Sequence, residues 1–261
     1  MSARVGSVGR VTPHGSWKEG LPARRLEHAD PVELPPADVW PRTVPAVEHV
    51  LAHGLDLARC TVLVGENGSG KSTLVEGLAM AAGMNAEGGS TGATHRTHAS
   101  ESPLHEWLRV VRDPGAPRWG YFVRAETMHG LFTWLDTNPG PTDPAFHAMS
   151  HGESFVALLG TRRFRGEGLF VLDEPEAGLS FSAQLHLVAE LTEMARRPRT
   201  QVVVATHSPV LAAIPGALLL ELGEHGVRES TWDELDVVAH HRGFLDAPRR
   251  YLRHVVDDLD D

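Results

Sequence analysis

The chain has 261 residues, 41% of them hydrophobic, which suits one compact core and excludes a fibrous repeat or a chain that is disordered throughout. Its formal net charge of −10 argues against a surface that holds nucleic acid by phosphate neutralisation alone, outside a local basic patch. The single cysteine, Cys60, cannot form an intramolecular disulfide, which favours a reducing compartment, and we expect the cytoplasm.

Residues 1–30 are predicted to form a loose leader, because their few basic residues are not followed by the apolar stretch of a secretory signal. The proline-rich residues 31–45 predict an extended segment, and a short helix is expected over residues 46–54. The apolar stretch at residues 202–222 is interrupted by two prolines and breaks into shorter pieces. Direct insertion into a membrane is therefore not expected.

Beyond this point, short apolar runs alternate with segments of helical periodicity. The apolar runs predict strands at residues 61–64, 121–124, 169–172, 201–205 and 218–222. The periodic segments predict helices at residues 72–82, 127–135, 154–161 and 182–196. This alternation predicts an α/β fold with a mostly parallel sheet flanked by helices.

Two remaining segments differ from this pattern. Residues 83–102 are rich in Gly, Ser, Thr and Ala without a hydrophobic period, which predicts a surface loop. Near the end of the chain, Asp246 and Pro248 are expected to open a final helix with one apolar face. The residues of that face are Leu252, Val255, Val256 and Leu259. We expect this face to pack against the domain, with support of a partner as the alternative.

The segment GENGSGKST has the pattern of a phosphate-binding loop, with glycines at Gly65 and Gly70 and a cation at Lys71. Because it follows a predicted strand and opens a predicted helix, its backbone N–H groups can converge on phosphates at the helix N-terminus. Lys71 is expected to reach the β- and γ-phosphates, and Ser72 to ligate Mg²⁺ through its hydroxyl. The residues predicted to contact nucleotide in this loop are Gly65, Glu66, Asn67, Gly68, Ser69, Gly70, Lys71, Ser72 and Thr73.

The segment LFVLDEP is an apolar strand that ends in two carboxylates, which would point into the ligand crevice at the carboxyl end of a parallel sheet. Asp173 is expected to hold the metal, directly or through water, and Glu174 to orient and deprotonate the attacking water. An acidic strand end alone is usually a solvated turn. The phosphate loop ahead of it favours the catalytic interpretation here.

Two further polar segments complete the set. His207, in ATHSP, follows another predicted strand, where a neutral imidazole can hydrogen-bond the γ-phosphate or the activated water. The segment SHGES, residues 150–154, offers a hydroxyl and backbone donors to an anion. Taken alone this segment is weak evidence, because a serine before a helix is an ordinary N-cap.

The order of these segments resembles that of the ATP-binding-cassette (ABC) ATPases: phosphate loop, signature turn, acidic strand and switch histidine. A signature-like turn just ahead of the acidic strand, with PEAGLS after it and THSP later, is specific to this class. More narrowly, the chain resembles compact, stand-alone bacterial AAA-family ATPases without a transmembrane domain, which also carry RAE, LDEPE and a final RRYLRH segment. The resemblance implies a P-loop NTPase fold, hydrolysis of ATP, and Mg²⁺ as cofactor.

The resemblance further implies a head-to-tail homodimer in which the phosphate loop of one subunit and the signature turn of the other sandwich each ATP. Ser150 and Gly152 would contact the γ-phosphate across the interface. It also implies one ABC-type ATPase domain over residues 31–261, with a helical signature region inserted near residues 84–165.

Several positions depart from the transporter members of the family. The signature reads MSHGES rather than LSGGQ, so His151 and Glu153 replace a glycine and a glutamine. Glu126 stands where the glutamine loop is expected, and we predict that it holds the metal shell with a charge. Ser180 replaces the aspartate usual after the acidic strand. These departures bear on the hydrolysis rate and the coupling partner rather than on nucleotide binding.

The favoured function is an autonomous ATP-gated dimer whose closure is read by a macromolecular partner, in nucleic-acid maintenance or phage defence. The alternatives are the nucleotide-binding subunit of a membrane transporter and an ATP-binding scaffold of low turnover. A relative of the chromosome-maintenance ATPases is disfavoured, because residues 82–121 are too short and glycine-rich for a coiled-coil arm.

Two short basic runs stand apart from these motifs. They consist of Arg162, Arg163 and Arg165, and of Arg196, Arg197 and Arg199. Such runs are usually solvated helix ends that complement the helix dipole, and contact with nucleic acid is the alternative.

Overall fold

The computed structural model describes residues 20–91, 102–138, 144–146, 149, 151–253 and 255–256. Within these residues the strands are β1 (Arg25–His28), β2 (Leu55–Asp56), β3 (Cys60–Val64), β4 (Gly89–Ser90), β5 (Leu108–Val111), β6 (Gly120–Arg124), β7 (Gly168–Asp173), β8 (Thr200–Thr206), β9 (Leu218–Gly223) and β10 (Gly226–Ser230). The helices are α1 (Pro45–His53), α2 (Lys71–Ala81), α3 (Leu104–Trp107), α4 (Met128–Thr137), α5 (His151–Leu159), α6 (Phe181–Arg196), α7 (Asp236–Asp246) and α8 (Pro248–Leu252).

Seven strands form the main sheet, in the order β10-β9-β3-β8-β7-β6-β4. The five strands from β9 to β6 are parallel to their neighbours, whereas β10 and β4 pair antiparallel at the two edges. The register places Val64 beside Thr206, and Arg124 beside Asp173. The carboxyl ends of β3, β8, β7 and β6 therefore lie along one edge of the sheet. The predicted α/β fold with a mostly parallel sheet is confirmed.

Alternate residues of the parallel strands face two different cores. On β7, Phe170 and Leu172 pack with side chains of α4, α5 and α6, whereas Leu169 and Val171 pack with side chains of α1 and α2. Every residue of β7 is buried, as is typical of a parallel strand covered on both faces. Complete burial of one such side chain contributes roughly 1.5–3 kcal/mol. The strands that end at the candidate site are therefore held firmly by their packing.

A second sheet of three antiparallel strands, β2-β1-β5, covers the side of α1 and α2. Leu26 of β1 is buried in the core cluster that contains those helices. Strand β1 lies within residues 1–30, so the prediction of a loose leader is wrong for residues 25–28. The sequence RLEH is short and mixes polar and apolar residues, so it does not predict a strand. Strand β1 is stabilised by pairing with β5, which is distant in the sequence.

The predicted surface loop at residues 83–102 contains a short strand, β4, that pairs antiparallel with β6. Residues 92–101 of this loop lie outside the described residues. Helix α7 was not predicted from its mixed polar and apolar sequence, and only Val238 of the helix is buried among the described residues.

The end of the chain differs from its prediction. Helix α8 ends at Leu252, and a turn follows at Val255. The exposed fractions of Leu252, Val255 and Val256 are 37%, 77% and 46%. The expectation that this apolar face packs against the domain is therefore wrong for these three residues, while Leu259 lies outside the described residues. No described helix has the length and apolar character needed to cross a bilayer.

Candidate nucleotide-binding site

Residues 65–70 connect β3 to α2 at the carboxyl end of the parallel sheet. Gly68 and Gly70 have φ angles of +82° and +97°, in a left-handed region that costs other residues about 1–2 kcal/mol. A Cβ on Gly70 would also lie 2.6 Å from Cγ1 of Val44. The glycines therefore permit a turn that wraps the loop around the N-terminus of α2.

The ammonium group of Lys71 lies under this loop. It is buried, and its Nζ donates to the carbonyl oxygens of Gly65 (2.8 Å) and Glu66 (3.0 Å). Burial lowers the pKa of Lys71, while the negative charges of Glu174 and Asp173 oppose that effect. Phosphate oxygens carry charge and are stronger acceptors for an ammonium than neutral carbonyls. Lys71 is thus positioned to exchange one or both carbonyls for a phosphate.

The loop contains polar groups that suit a triphosphate. The Oγ of Ser69 is buried and has no hydrogen-bond partner within the described part of the chain, and buried polar atoms of this kind are rare. A Cβ on Gly68 would meet no atom of the described residues within 4 Å, so these residues leave room above the loop. The first N–H groups of α2 also lack partners inside the helix. The residues present therefore fit an anionic phosphate chain.

Ser72 and Asp173 bring two oxygen atoms together beside the loop. Ser72 Oγ donates to Asp173 Oδ1 at 3.0 Å, and hard oxygen ligands of this type are those that Mg²⁺ prefers. Burial raises the pKa of Asp173 to about 6, with Arg124 and Ser72 acting in the opposite direction. Among the described residues, no three His, Cys, Asp or Glu side chains form a metal site on their own. The pair fits Mg²⁺ that keeps water and phosphate ligands.

Arg124, at the end of β6, lies among three carboxylates. Its Nη1 pairs with Glu76, and its Nε lies 3.4 Å from Asp173 Oδ2 and 3.5 Å from Glu126 Oε2. The side chain of Glu126 is 81% exposed, so the predicted metal-shell residue lies at the rim of the site in contact with Arg124. Glu76 was not among the predicted residues, because its position in α2 gives no signal that it meets Arg124.

Glu174 follows β7 with a φ angle of +49°, which non-glycine residues rarely adopt. Its N–H donates to the carbonyl of Ala205 at 2.9 Å. Its Oε1 lies 3.8 Å from Nζ of Lys71 and 3.5 Å from Nδ1 of His207. Backbone strain of this kind costs on the order of 1–3 kcal/mol and concentrates at functional sites. The tertiary structure thus brings the three predicted catalytic residues together.

Glu176 supports His207 and was not among the predicted site residues. It is buried, and its Oε1 accepts hydrogen bonds from the hydroxyl of Thr206 and from the backbone N–H of His207 (3.1 Å). The same oxygen lies 3.6 Å from Nδ1 of His207. The second carboxylate oxygen is buried without a hydrogen-bond partner in the described structure. The sequence does show a third acidic residue directly after Asp-Glu-Pro, but its position in the sequence does not reveal that it contacts His207.

The signature segment is described only in part. Ser150 lies outside the described residues, and Gly152 lies in the first turn of α5, where the side chains of His151 and Glu153 are not described. Ser154, which ends the segment, is buried, and its hydroxyl donates to the carbonyl of Phe146 at 2.7 Å. Contact of Ser150 and Gly152 with a phosphate stays a prediction. Ser180 caps α6 by accepting a hydrogen bond from the N–H of Ala183 at 3.3 Å.

Asp173→Asn is expected to stabilise the protein in the absence of nucleotide and to weaken Mg²⁺-dependent ATP binding. Folding raises the pKa of Asp173 from 3.8 to about 6, so the charged carboxylate opposes folding fully above that value. The penalty disappears as the pH falls from about 6 towards the unfolded value. One pKa unit corresponds to about 1.4 kcal/mol, so asparagine should raise the free energy of unfolding by about 1–3 kcal/mol near neutral or alkaline pH.

Urea unfolding without nucleotide at a pH of about 8 measures this difference. The matched control is Asp38→Asn, a change to an exposed carboxylate that should leave stability within about 0.5 kcal/mol of the wild type. A lower free energy of unfolding for Asp173→Asn would show that the buried charge stabilises the fold.

Comparisons with known proteins give a consistent class. A family model described as "AAA domain, putative AbiEii toxin, Type IV TA system" matches residues 60–109 and 144–213. The chain is 29% identical over 175 residues to the aliphatic sulfonates import ATP-binding protein SsuB 2 of Rhodococcus jostii (strain RHA1), which covers 64% of this chain and 69% of that protein. It is 27% identical over 218 residues to the aliphatic sulfonates import ATP-binding protein SsuB 1 of Paracoccus denitrificans (strain Pd 1222), covering 79% and 86%.

Among solved structures, cbiO1 from Clostridium perfringens, part of the ABC transporter complex cbiONQ, aligns with a TM-score of 0.42 and 16% sequence identity. The alignment covers 77% of this chain and 90% of that chain.

The strand order, the glycine loop after β3 and the acidic end of β7 define a P-loop NTPase fold. Among P-loop NTPases, the sequence matches indicate similarity to the ATP-binding proteins described above. The chain has the fold of an ABC-type ATPase, and its sequence is similar to those of transporter ATP-binding subunits.

Proposed function

We propose that this protein is a cytoplasmic ATPase that works as an ATP-gated, head-to-tail homodimer. The position of Glu174 carries the proposal: its Oε1 lies 3.8 Å from Nζ of Lys71 and 3.5 Å from Nδ1 of His207. A carboxylate beside a phosphate-binding cation and an imidazole suits the activation of water next to a terminal phosphate.

Binding of the substrate falls to the loop and its neighbours. The backbone N–H groups of the loop and Lys71 hold the phosphates of ATP, while Ser72 and Asp173 hold Mg²⁺, with Glu126 in the outer shell. When bound, Mg²⁺ neutralises charge on the phosphates. Arg124, which contacts both Asp173 and Glu126, keeps these two carboxylates in place.

The chemical step falls to two residues. Glu174 orients water and accepts its proton. His207 hydrogen-bonds the terminal phosphate, and Glu176 positions His207 through the backbone N–H that it binds. The strained backbone of Glu174 directs its carboxylate towards Lys71 and His207, where it can act on the water.

The homodimer is supported by exposed apolar side chains beside the site. Phe181 and Leu185, at the start of α6, are 65% and 50% exposed, and they follow the loop that leads from Glu174. Exposed apolar side chains one helical turn apart can form part of an interface when a second surface extends the patch. We propose that a second copy covers them and places its Ser150 and Gly152 over the triphosphate. ATP is then a ligand of the closed state, and hydrolysis releases it.

In this function, residues 31–261 together with β1 act as one ATPase domain with a helical signature region near residues 84–165. A macromolecular partner recognises the closed dimer, in nucleic-acid maintenance or defence.

Particle mass and ATPase activity measured together test the proposal. With ATP and Mg²⁺ the mass should double, and it should return to the single-chain value as ATP is consumed. Lys71→Ala is the control, because loss of the ammonium should keep the mass at that of one chain. A single chain that hydrolyses ATP at full speed would overturn the homodimer.

The matches to two import ATP-binding proteins favour a second function, the nucleotide-binding subunit of a membrane importer. Turnover that requires a solubilised membrane protein would favour this function, whereas turnover by the purified chain alone favours the autonomous ATPase. Turnover far below the usual range of roughly 1–10³ s⁻¹, with ATP still bound, would favour an ATP-binding scaffold.

A further inference from the structure

Arginines stand at the amino ends of four adjacent strands of the main sheet. Arg59 directly precedes β3 and Arg199 directly precedes β8, while Arg165 and Arg118 lie three and two residues ahead of β7 and β6. Because these strands are parallel neighbours in the order β3-β8-β7-β6, their amino ends lie along one edge. The four arginine positions therefore follow that edge in the same order.

This edge lies at the opposite end of the strands from the nucleotide site. The strands have five to seven residues, and each residue adds about 3.3 Å. The arginines are therefore roughly 17–23 Å from the phosphate loop. A ligand at this edge and ATP do not compete for the same residues.

The two basic runs of the sequence meet at this edge. Arg197 Nη1 donates to the carbonyl of Phe164 at 2.6 Å, inside the turn that carries Arg162 and Arg165. Arg59 Nη1 in turn donates to the carbonyl of Arg197 at 3.0 Å. Solvated helix ends would not be expected to contact each other. They would also not be expected to contact Arg59.

Some of these guanidinium groups are oriented by neutral acceptors, and none of the described residues forms an ion pair with them. Arg59 and Arg197 both donate to backbone carbonyls, which carry no net charge, so the positive charge is retained. A guanidinium has five N–H donors, and one carbonyl leaves others for a second acceptor. Arg199 differs, because it donates to the carbonyl of Gly115 and also pairs with Glu167 at 3.1 Å.

We propose that this edge binds the phosphate backbone of nucleic acid. The residues that define it, called the arginine edge below, are Arg59, Arg118, Arg162, Arg165, Arg197 and Arg199. Adjacent strands lie about 4.8 Å apart, so the four strand positions span about 15 Å, over which one strand of B-DNA presents about four phosphates. Guanidinium groups bind phosphate through two parallel hydrogen bonds.

Electrostatics favour this edge over the rest of the surface. The chain carries a net charge of −10, so the protein as a whole repels a polyanion. At physiological ionic strength, charges beyond about 8 Å are largely screened, and the local arginines therefore decide the interaction. The inference extends the nucleic-acid part of the proposed function and does not depend on dimer closure.

Salt-dependent binding of a labelled DNA duplex of about 20 base pairs to the whole protein, without ATP, tests the arginine edge. The variant Arg162→Gln/Arg165→Gln removes two exposed cations. The matched control, Arg249→Gln/Arg250→Gln, makes the same charge change on α8. We expect the first variant to bind at least about tenfold more weakly, and its plot of log K against log salt to be shallower by about 2, with little change in the control.

Three outcomes would overturn the inference. They are undetectable duplex binding by the wild type at low salt, an equal loss of affinity in both double variants, and equally tight binding of a polyglutamate peptide of matched charge. Arg118→Gln, at the far end of the row, gives an independent check and should weaken binding by about threefold or more. ATPase activity without DNA should be unchanged in these variants, so failure of the proposed ATPase would be seen separately from failure to bind DNA.

Discussion

Glu174→Gln is expected to lower ATP turnover by on the order of a hundredfold or more while ATP affinity is retained. Glutamine keeps the size of the side chain and its hydrogen-bonding reach, but its amide cannot accept a proton from water. The ammonium of Lys71 keeps its two carbonyl partners, so the phosphate-binding loop is not disturbed. The closed homodimer should therefore form with ATP and persist, because the step that releases it is blocked.

Single-turnover ATPase measurements and particle mass with ATP check this result. Glu190→Gln, the same change at an exposed position of α6, should behave as the wild type in both measurements. Undiminished turnover in Glu174→Gln would remove this residue from its proposed role and leave its strained backbone without a catalytic explanation.

An equal mixture of Ser150→Arg protein and Lys71→Ala protein is expected to recover ATPase activity that neither protein has alone. Each mixed dimer contains one site with an intact phosphate loop and an intact signature turn, whereas Lys71→Ala protein does not pair with itself. Activity should therefore reach about a quarter to a half of the wild-type value per chain. The physical reason is that each ATP is held by two half-sites from different subunits.

Activity is measured at fixed total protein, after exchange of subunits. In the control mixture, Lys71→Ala protein is combined with the double variant Ser150→Arg/Lys71→Ala. Neither phosphate loop is then intact, so no recovery is expected. Two folded single variants that show no recovery on mixing would contradict the composite site.

Contiguous motifs could be predicted from the sequence because their geometry is local. GENGSGKST specifies a strand, a turn and a helix start within a few residues, and its glycines at positions 68 and 70 adopt the required left-handed angles. The acidic residues Asp173 and Glu174 directly follow an apolar run, so their placement at a strand end follows from that run. The parallel sheet likewise follows from the alternation of strands and helices.

Contacts between distant segments could not be predicted in the same way. Arg124 and Glu76 belong to different elements, and nothing in their spacing shows that they meet beside Asp173. Glu176 follows β7 and accepts a hydrogen bond from the backbone N–H of His207, which follows the neighbouring strand β8. The sequence predicts that the apolar residues of the last segment share one buried face of a helix, yet α8 ends at Leu252 and the described apolar residues are exposed.

The sequence by itself determined the class of the protein and the set of predicted catalytic residues, because both depend on short segments whose hydrogen bonding and periodicity are local. The tertiary structure decided which side chains meet: the Arg124 cluster, the support of His207 by Glu176, and the union of two basic runs at one edge of the sheet. Such contacts depend on strand order and register, and these are set by packing over the whole core rather than by neighbouring residues.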